Sequence, residues 1–128
     1  MEKETPYFDY ELKKWLVLYS IGNGPHRFTD LKEKMQKILR QEIISLNLHN
    51  IISDLQSRDC VKIIERKDPV YKNEGKILKY LGNNVEKHYF LTKKGKEQLL
   101  FNWRFAASAI PKESYEEIFK NICAISQS

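Results

Sequence analysis

The sequence predicts a single α+β domain that is mainly helical. Three observations carry this prediction. Apolar residues recur at helical spacing up to about residue 58 and again after residue 92, a β-branched stretch follows residue 60, and the surplus positive charge is confined to residues 61–96. The chain has 128 residues, of which 41% are hydrophobic and 30% charged, as is ordinary for one folded globular domain.

Three helices are predicted in the first half of the chain. Pro6 suits a first helical position and opens the first helix, over residues 6–21, which a Gly- and Pro-rich turn ends. A Thr-Asp pair opens the second helix, over residues 29–40. The third helix is predicted over residues 45–58, after a turn without Gly or Pro that the sequence locates only to within a few residues.

The third predicted helix has two contrasting faces. Ser45 is its expected N-cap, and its buried face is apolar: Leu48, Ile51, Ile52 and Leu55. The other side carries short hydrogen-bonding side chains: Ser45, Asn47, His49, Asn50 and Ser53. Such side chains suit contacts to base edges, and an ordinary solvated helix face is the alternative.

Residues 60–92 are predicted to form two strands and a long basic wing. A β-branched run from Val61 to Ile64 indicates the first strand, residues 85–91 alternate as a second, and turn signals are frequent in residues 68–84. Residues 61–96 carry ten Lys or Arg against four Asp or Glu, whereas the first sixty residues carry nine of each. A basic excess concentrated in one segment is typical of proteins that bind a polyanion such as nucleic acid.

Two further helices are predicted after the strands, over residues 93–109 and 112–125, with a break at Pro111. The aromatic and aliphatic residues near both ends of the chain exceed what one small helical core needs. We therefore expect part of this surplus to form a two-fold interface in a homodimer. The expected interface residues are Phe8, Tyr115, Ile118, Phe119 and Ile122.

Three helices followed by a basic hairpin make the winged version of the helix-turn-helix, here with additional C-terminal helices. In that arrangement the third helix enters the major groove of double-stranded DNA and the hairpin lies over the backbone. We therefore expect base contacts from the polar side of the third helix: Ser45, Asn47, His49, Asn50 and Ser53. Backbone contacts are expected from Arg27, Arg40, Arg66, Lys67, Lys72, Lys76, Lys79 and Lys87. For Arg27, an ion pair with Asp30 is the alternative.

Four motifs resemble those of HxlR-type winged-helix regulators, in the same order and over about residues 12–101. They are residues 15–18 (WLVL), residues 24–31 (GPHRFTDL), residues 48–55 (LHNIISDL) followed by Cys-Val, and residues 88–96 (HYFLTKKGK). The last of these is also similar to a signature of PadR and MarR relatives. The resemblance implies a homodimeric DNA-binding transcription factor whose N-terminal and C-terminal helices build the dimer.

The chain departs from that family at three places. Residues 3–10 hold no cysteine, although family members usually carry one just before the first helix, so a thiol switch is not expected. Residues 36–44 and the wing, residues 68–84, are longer than the family's counterparts. Asp59 stands where a glycine is common after the third helix.

Other classes of protein find little support in the sequence. No stretch approaches the roughly 20 apolar residues of a membrane span, and the charged N-terminus is unlike a signal peptide, so a cytoplasmic protein is expected. Metal-ligand spacing is absent from the two distant cysteines and the three scattered histidines. The sequence also has no phosphate loop and no nucleophile motif, so we expect no enzymatic activity and no cofactor. The alternative is a winged helix that docks a protein instead of DNA. The sequence leaves the operator and any small-molecule effector open.

Overall fold

A computed structural model describes residues 6–22, 27–67 and 85–127 of the chain. The elements in chain order are α1 (Pro6–Ile21), α2 (Phe28–Leu39), α3 (Ser45–Ser57), β1 (Val61–Lys67), β2 (Val85–Leu91), α4 (Lys93–Phe101), α5 (Trp103–Ala109) and α6 (Lys112–Gln127). The protein is therefore α+β and mainly helical, as predicted, and its order of elements is compatible with a winged helix. No helix in these ranges has both the length and the hydropathy needed to cross a membrane.

Helix α1 lies at the centre of the core and contacts α2, α3, α4, α5 and β2. Leu16 is fully buried and Trp15 is only 2% exposed. The indole Nε1 of Trp15 donates a 2.9 Å hydrogen bond to the carbonyl oxygen of Leu99 in α4. One turn further along α1, the hydroxyl of Tyr19 accepts a 2.7 Å hydrogen bond from the side-chain amide of Asn121 in α6. These buried polar links fix how the C-terminal helices pack on α1, because a buried donor is costly to leave without an acceptor.

The turn between α2 and α3 is held by side chains instead of by Gly or Pro. Arg40 ends α2 in the left-handed region, with φ 57°, and its backbone N–H donates to the carbonyl oxygen of Gln36 at 2.7 Å. The Gln36 side-chain oxygen in turn accepts a 2.9 Å hydrogen bond from the backbone N–H of Ile43. Ile43 itself is buried. The same glutamine thus joins both sides of the turn and sets where α3 begins.

Strands β1 and β2 pair in antiparallel register, with Val61 opposite Leu91 and Ile63 opposite Tyr89. Val61 and Tyr89 are buried, because this face of the sheet packs on the helices. Both predicted strands are confirmed. Residues 68–84, the predicted turn region of the wing, lie outside the residues that the structure describes.

The junction between β2 and α4 is tied to the end of α3. Thr92 caps α4 by accepting a 3.0 Å hydrogen bond from the N–H of Gly95, and its hydroxyl donates to the carbonyl oxygen of Asp59 at 2.6 Å. A side-chain carbon at Gly95 would overlap the carbonyl oxygen of Cys60. Asp59 keeps a left-handed backbone, with φ 64°, a conformation that favours glycine and that Asp adopts more readily than most other residues.

The predicted fourth helix over residues 93–109 is two helices, interrupted at Asn102. The side chain of Asn102 donates to the carbonyl oxygen of Gln98 at 3.0 Å and thereby competes with the backbone for a helical acceptor. One predicted helix start is displaced by one residue, since α2 begins at Phe28. Helix α3 begins at Ser45 as predicted, but its N-cap is Ile44 and not Ser45.

Candidate nucleic-acid interface

The outward face of α3 centres on four residues spaced four, three and four positions apart: Leu46, Asn50, Ser53 and Ser57. All four are exposed, while Leu48, Ile51, Ile52 and Leu55 on the opposite side are buried. The spacing places the four exposed side chains on one line along the helix. Of the residues predicted to contact bases, Asn50 and Ser53 therefore lie at the middle of the exposed face.

His49 flanks this line on the side of α2, where its ring stacks on Phe28. The ring centroids are 4.0 Å apart and the ring planes differ by 6°. Phe28 is half-buried and packs against the core, whereas His49 is exposed. The stack fixes the plane of the imidazole and leaves His49 at the surface, so Phe28 serves both as a core residue and as a support for the helix face.

Asn47 and Asp54 flank the line on its other side, toward α1. Asn47 is exposed. The Oδ2 atom of Asp54 accepts a 2.9 Å hydrogen bond from the hydroxyl of Tyr10, and its Oδ1 atom lies 3.2 Å from Nε of Arg58. Burial pushes the pKa of the Asp54 carboxyl upward, but the hydrogen bonds from Tyr10 and Arg58 outweigh burial and hold the pKa below its usual range. The carboxylate thus orients α3 against α1, and its charge is offset by Arg58.

Ser45 stands apart from the other predicted base-contacting residues. It is half-buried, and its hydroxyl accepts a 2.8 Å hydrogen bond from Nζ of Lys32 in α2. This bond connects the first residue of α3 to the preceding helix. It also brings the Lys32 ammonium to the start of α3, which adds a positive charge that the sequence pattern did not single out.

Two large apolar side chains at the start of α3 were missed by the sequence reasoning. Ile44 is 64% exposed and Leu46 is 66% exposed. A signal existed for Leu46, since it falls out of phase with the buried stripe that begins at Leu48. Ile44 stands four positions before Leu48 and is in phase with that stripe, but it is the N-cap residue and lies outside the helix. Exposed aliphatic groups beside polar ones can contact thymine methyl groups in a major groove or an apolar surface on a protein.

Three of the predicted backbone-contacting residues have described side chains. Arg27 is exposed, and its Nε lies 3.5 Å from the Oδ2 atom of Asp30, so the predicted ion pair is present. Arg40 is exposed at the end of α2, directly before α3. Lys87 is exposed on β2, opposite Glu65 of β1. The structure thus places one of these cations at each end of α2 and one on the sheet.

The remaining predicted backbone contacts come from the wing. Arg66 and Lys67 belong to β1, but their side chains lie outside the described part of the chain. Lys72, Lys76 and Lys79 fall in residues 68–84 and also lie outside it. Their contact with DNA stays a prediction from the charge pattern.

The predicted dimer interface is corrected at two positions. Ile118 and Ile122 are 2% and 5% exposed, because they pack into the core of their own protomer, and they offer no surface to a partner. Tyr115 and Phe119 on the same helix are 39% and 45% exposed. Their rings stack with centroids 6.0 Å apart, and both also contact Trp103. The side chain of Phe8 lies outside the described residues.

The described residues contain no group of three or more His, Cys, Asp or Glu that could hold a metal ion. Cys60 and Cys123 are free thiols, the first of them buried. Burial raises the pKa of the Cys60 thiol and outweighs the lowering effect of Lys94 and Arg58. Cys60 is therefore protonated and weakly nucleophilic at neutral pH.

Comparison with known protein families and with curated proteins gave no match. The resemblance of the four motifs to HxlR-type regulators therefore stays a prediction.

Proposed function

We propose that the chain is a winged-helix protein that binds double-stranded DNA and regulates transcription as a homodimer, without catalysing a reaction. The observation that carries this proposal is the exposed face of α3. A row of hydrogen-bonding and apolar side chains stands on a helix that α1 and α2 hold rigidly through Tyr10, Lys32 and Phe28. A preorganised helix with such a face, followed by a two-stranded antiparallel sheet, has the layout of a winged reader of the major groove.

In this proposal Asn50 reads adenine, because its amide can accept from N6 and donate to N7 of that base at once. Ser53 adds a less selective hydrogen bond, and Asn47 and His49 contact bases from either side of the row. Leu46 and Ile44 supply apolar contacts that suit thymine methyl groups. The face is therefore expected to favour A·T pairs near its centre.

The exposed lysine and arginine side chains would supply affinity for DNA that does not depend on the DNA sequence. Arg40 lies beside the start of α3 and Lys87 on the sheet, and both are exposed. The wing adds Lys72, Lys76 and Lys79 in the sequence. Each lysine or arginine that neutralises a phosphate releases counterions, so binding weakens as salt is added.

The experiment that tests DNA binding is a salt titration with a fluorescent mixed-sequence duplex of roughly 30 base pairs. Anisotropy is recorded between about 50 and 200 mM salt for the wild type, a Lys76→Ala/Lys79→Ala variant and a charge-matched Lys112→Ala/Lys120→Ala control. We expect the wing variant to lose about two units of the logarithmic salt slope, and the control to keep the wild-type slope. Equal slopes for all three proteins would remove the wing from the proposed interface.

The proposed homodimer uses the exposed aromatic pair of α6 as its subunit contact. Tyr115 and Phe119 form a stacked surface that rests on Trp103, and such a patch is a common subunit contact. We expect sedimentation to show that the wild type is a dimer and that a Tyr115→Ser/Phe119→Ser variant is a monomer. Ile44→Ser, which alters an exposed apolar residue on α3, serves as the control and should stay dimeric. A monomeric wild type at micromolar concentration would exclude this dimer.

A second candidate function has one observation in its favour. Ile44 and Leu46 expose two large aliphatic side chains close together at the start of α3, and such a pair suits a winged helix that docks a protein partner. The same salt titration distinguishes the two functions, because a protein-docking domain would show no saturable duplex binding at about 50 mM salt.

A further inference from the structure

A cleft with a cavity volume of about 670 Å³ lies between α1, the end of α3, and the two helices α4 and α5. Its apolar walls are formed by Trp15, Leu18, Leu55 and Phe105, and we call it the α1–α4 cleft. The volume falls within the range of roughly 300–1,000 Å³ that is usual for sites of small organic ligands. The cleft takes no part in the DNA-contacting face described above.

Three cations line the cleft beside these apolar walls: Lys14, Arg58 and Lys94. Lys14 is paired with Glu11 at 3.2 Å and Arg58 with Asp54 at 3.2 Å. Lys94 is exposed and forms no ion pair within the described ranges. The lining therefore carries a positive charge that its acidic residues do not neutralise.

The three cations also lie near one residue of the lining, Cys60. Lys94, Arg58 and Lys14 each lower the pKa of the Cys60 thiol, which lines the same cleft, although burial dominates and raises that pKa. Two amide side chains, Gln98 and Asn102, also line the cleft. The Asn102 side chain donates to the Gln98 side-chain oxygen at 3.3 Å, so the two amides are held together. The lining thus combines apolar and aromatic side chains with cationic and polar ones.

We propose that the α1–α4 cleft binds a small aromatic carboxylate, whose ring lies against Trp15 and Phe105 and whose carboxylate is bound by Lys94 and Arg58. A carboxylate matches the uncompensated charge, and a flat ring matches the apolar walls. Leu55 lies in α3 and Arg58 is its C-cap residue, so the ligand contacts the end of the helix that is proposed to read DNA. Occupancy therefore changes the affinity for DNA, and this effector role, unlike the binding itself, rests on the proposed function.

The binding is tested by calorimetry with naphthoate as the probe and its neutral amide, naphthamide, as the charge control. We expect saturable binding of naphthoate to the full chain at one site per protomer, and binding of naphthamide at least fivefold weaker. Lys94→Gln should weaken naphthoate binding roughly fivefold to tenfold and leave naphthamide binding unchanged. Lys93→Gln, a neighbouring exposed lysine outside the cleft, should bind naphthoate like the wild type.

The location is tested by filling the cleft. Gln98→Trp places a bulky ring in the lining and should abolish naphthoate binding, while Glu97→Trp, outside the lining, should not. Both positions are exposed on α4, so both variants are expected to fold, and their unfolding transitions verify it. The proposed site would be overturned if naphthoate showed no saturable binding or if naphthamide bound as tightly as naphthoate. It would also be overturned if Lys94→Gln and Gln98→Trp both bound naphthoate as tightly as the wild type.

The effector role has its own measurement. Saturating naphthoate should change the duplex affinity of the wild type by at least roughly threefold and leave that of Gln98→Trp unchanged. Binding of naphthoate without any effect on duplex affinity would overturn the effector role and keep the site. Binding of naphthoate by a protein that binds no duplex would overturn the proposed DNA function and the effector role together, with the ligand site intact.

Discussion

The hydroxyl of Tyr10 donates a 2.9 Å hydrogen bond to the Oδ2 atom of Asp54, across 44 positions of the chain. The bond connects α1, the centre of the core, to α3, whose exposed face is the proposed DNA reader. Because Arg58 binds the other oxygen of the same carboxylate, Asp54 is oriented from two sides. The direction of the α3 face is thus set by a polar contact in addition to apolar packing.

Tyr10→Phe removes this hydrogen bond and keeps the ring. We expect the free energy of unfolding to fall by about 1–2 kcal/mol, since the acceptor is charged and partly buried. Urea unfolding at neutral pH measures the loss, and Tyr115→Phe, for which no hydrogen bond of the hydroxyl is found among the described residues, should be neutral. A Tyr10→Phe protein as stable as the wild type would show that apolar packing alone orients α3.

The same pair predicts the acid dependence of stability. The folded pKa of Asp54 is held below its unfolded value, so the carboxylate stabilises the fold above about pH 4, and this contribution is lost as the pH falls through the folded pKa. The stability difference between wild type and Tyr10→Phe should therefore shrink in acid. A difference that stays constant down to about pH 2 would contradict the assignment.

Buried tyrosines predict a loss of stability in alkali. Burial raises the pKa of Tyr89, so the folded protein keeps a proton that the unfolded chain releases. The contribution is complete below about pH 10 and is lost as the pH rises through the folded pKa. The urea midpoint of the wild type should drop between about pH 8 and pH 11, and Tyr89→Phe should make that drop smaller. An equal drop in the variant would mean that other groups cause the alkaline loss of stability.

Gly95 lies against the backbone of Cys60, where α4 begins. Gly95→Ala would force the methyl group against a carbonyl oxygen that cannot move without displacing Thr92 and β2. We expect a loss of about 1–3 kcal/mol in the free energy of unfolding, as for other overpacked sites. Lys93→Ala, an exposed change in the same turn, should cost much less. Equal stability of the two variants would mean that this junction can relax.

The stack of Phe28 on His49 links the core to the exposed face of α3, which is proposed to read DNA. Phe28→Leu keeps an apolar side chain and frees the imidazole, so stability should fall by about 0.5–1.5 kcal/mol. Duplex affinity should also fall, without a change in its salt slope, because no phosphate contact is removed. Anisotropy over a range of salt concentrations separates the two effects, and a changed slope would place His49 on the backbone instead of at the bases.

Local periodicity was enough to predict the elements that are amphipathic on their own. The buried stripe of α3 from Leu48 to Leu55 and the two strands appear in the structure as expected. Periodicity could not show how Gln36 holds the turn before α3. That depends on its side-chain oxygen accepting from Ile43 while its carbonyl oxygen accepts from Arg40. Nor could it distinguish Ile118 from Phe119, since only packing decides which part of an apolar stripe faces the protomer's own core.

Part of the candidate site could likewise be predicted from the sequence, and part of it could not. The residue types on α3 were visible in the sequence, but the hydrogen bond from Lys32 to Ser45 and the cleft beside Trp15 bring together residues that are distant along the chain. Such convergence is a property of tertiary packing. Ile44 lay in the turn whose boundaries the sequence could not locate, and its exposure became evident only once α3 was placed. Leu46 lay within the predicted helix, out of phase with its buried stripe.

Selection of duplexes from a random pool tests the central claim most directly. The wild type is expected to enrich a pseudo-palindromic sequence with A·T pairs at the centre of each half-site, as a two-fold reader would. An Asn50→Ala/Ser53→Ala variant should lose enrichment at those positions and keep its salt-dependent affinity, whereas Ser108→Ala, on α5, should select the wild-type sequence. Failure of the wild type to enrich any duplex, or an identical preference in the α3 variant, would contradict the proposal that α3 reads DNA.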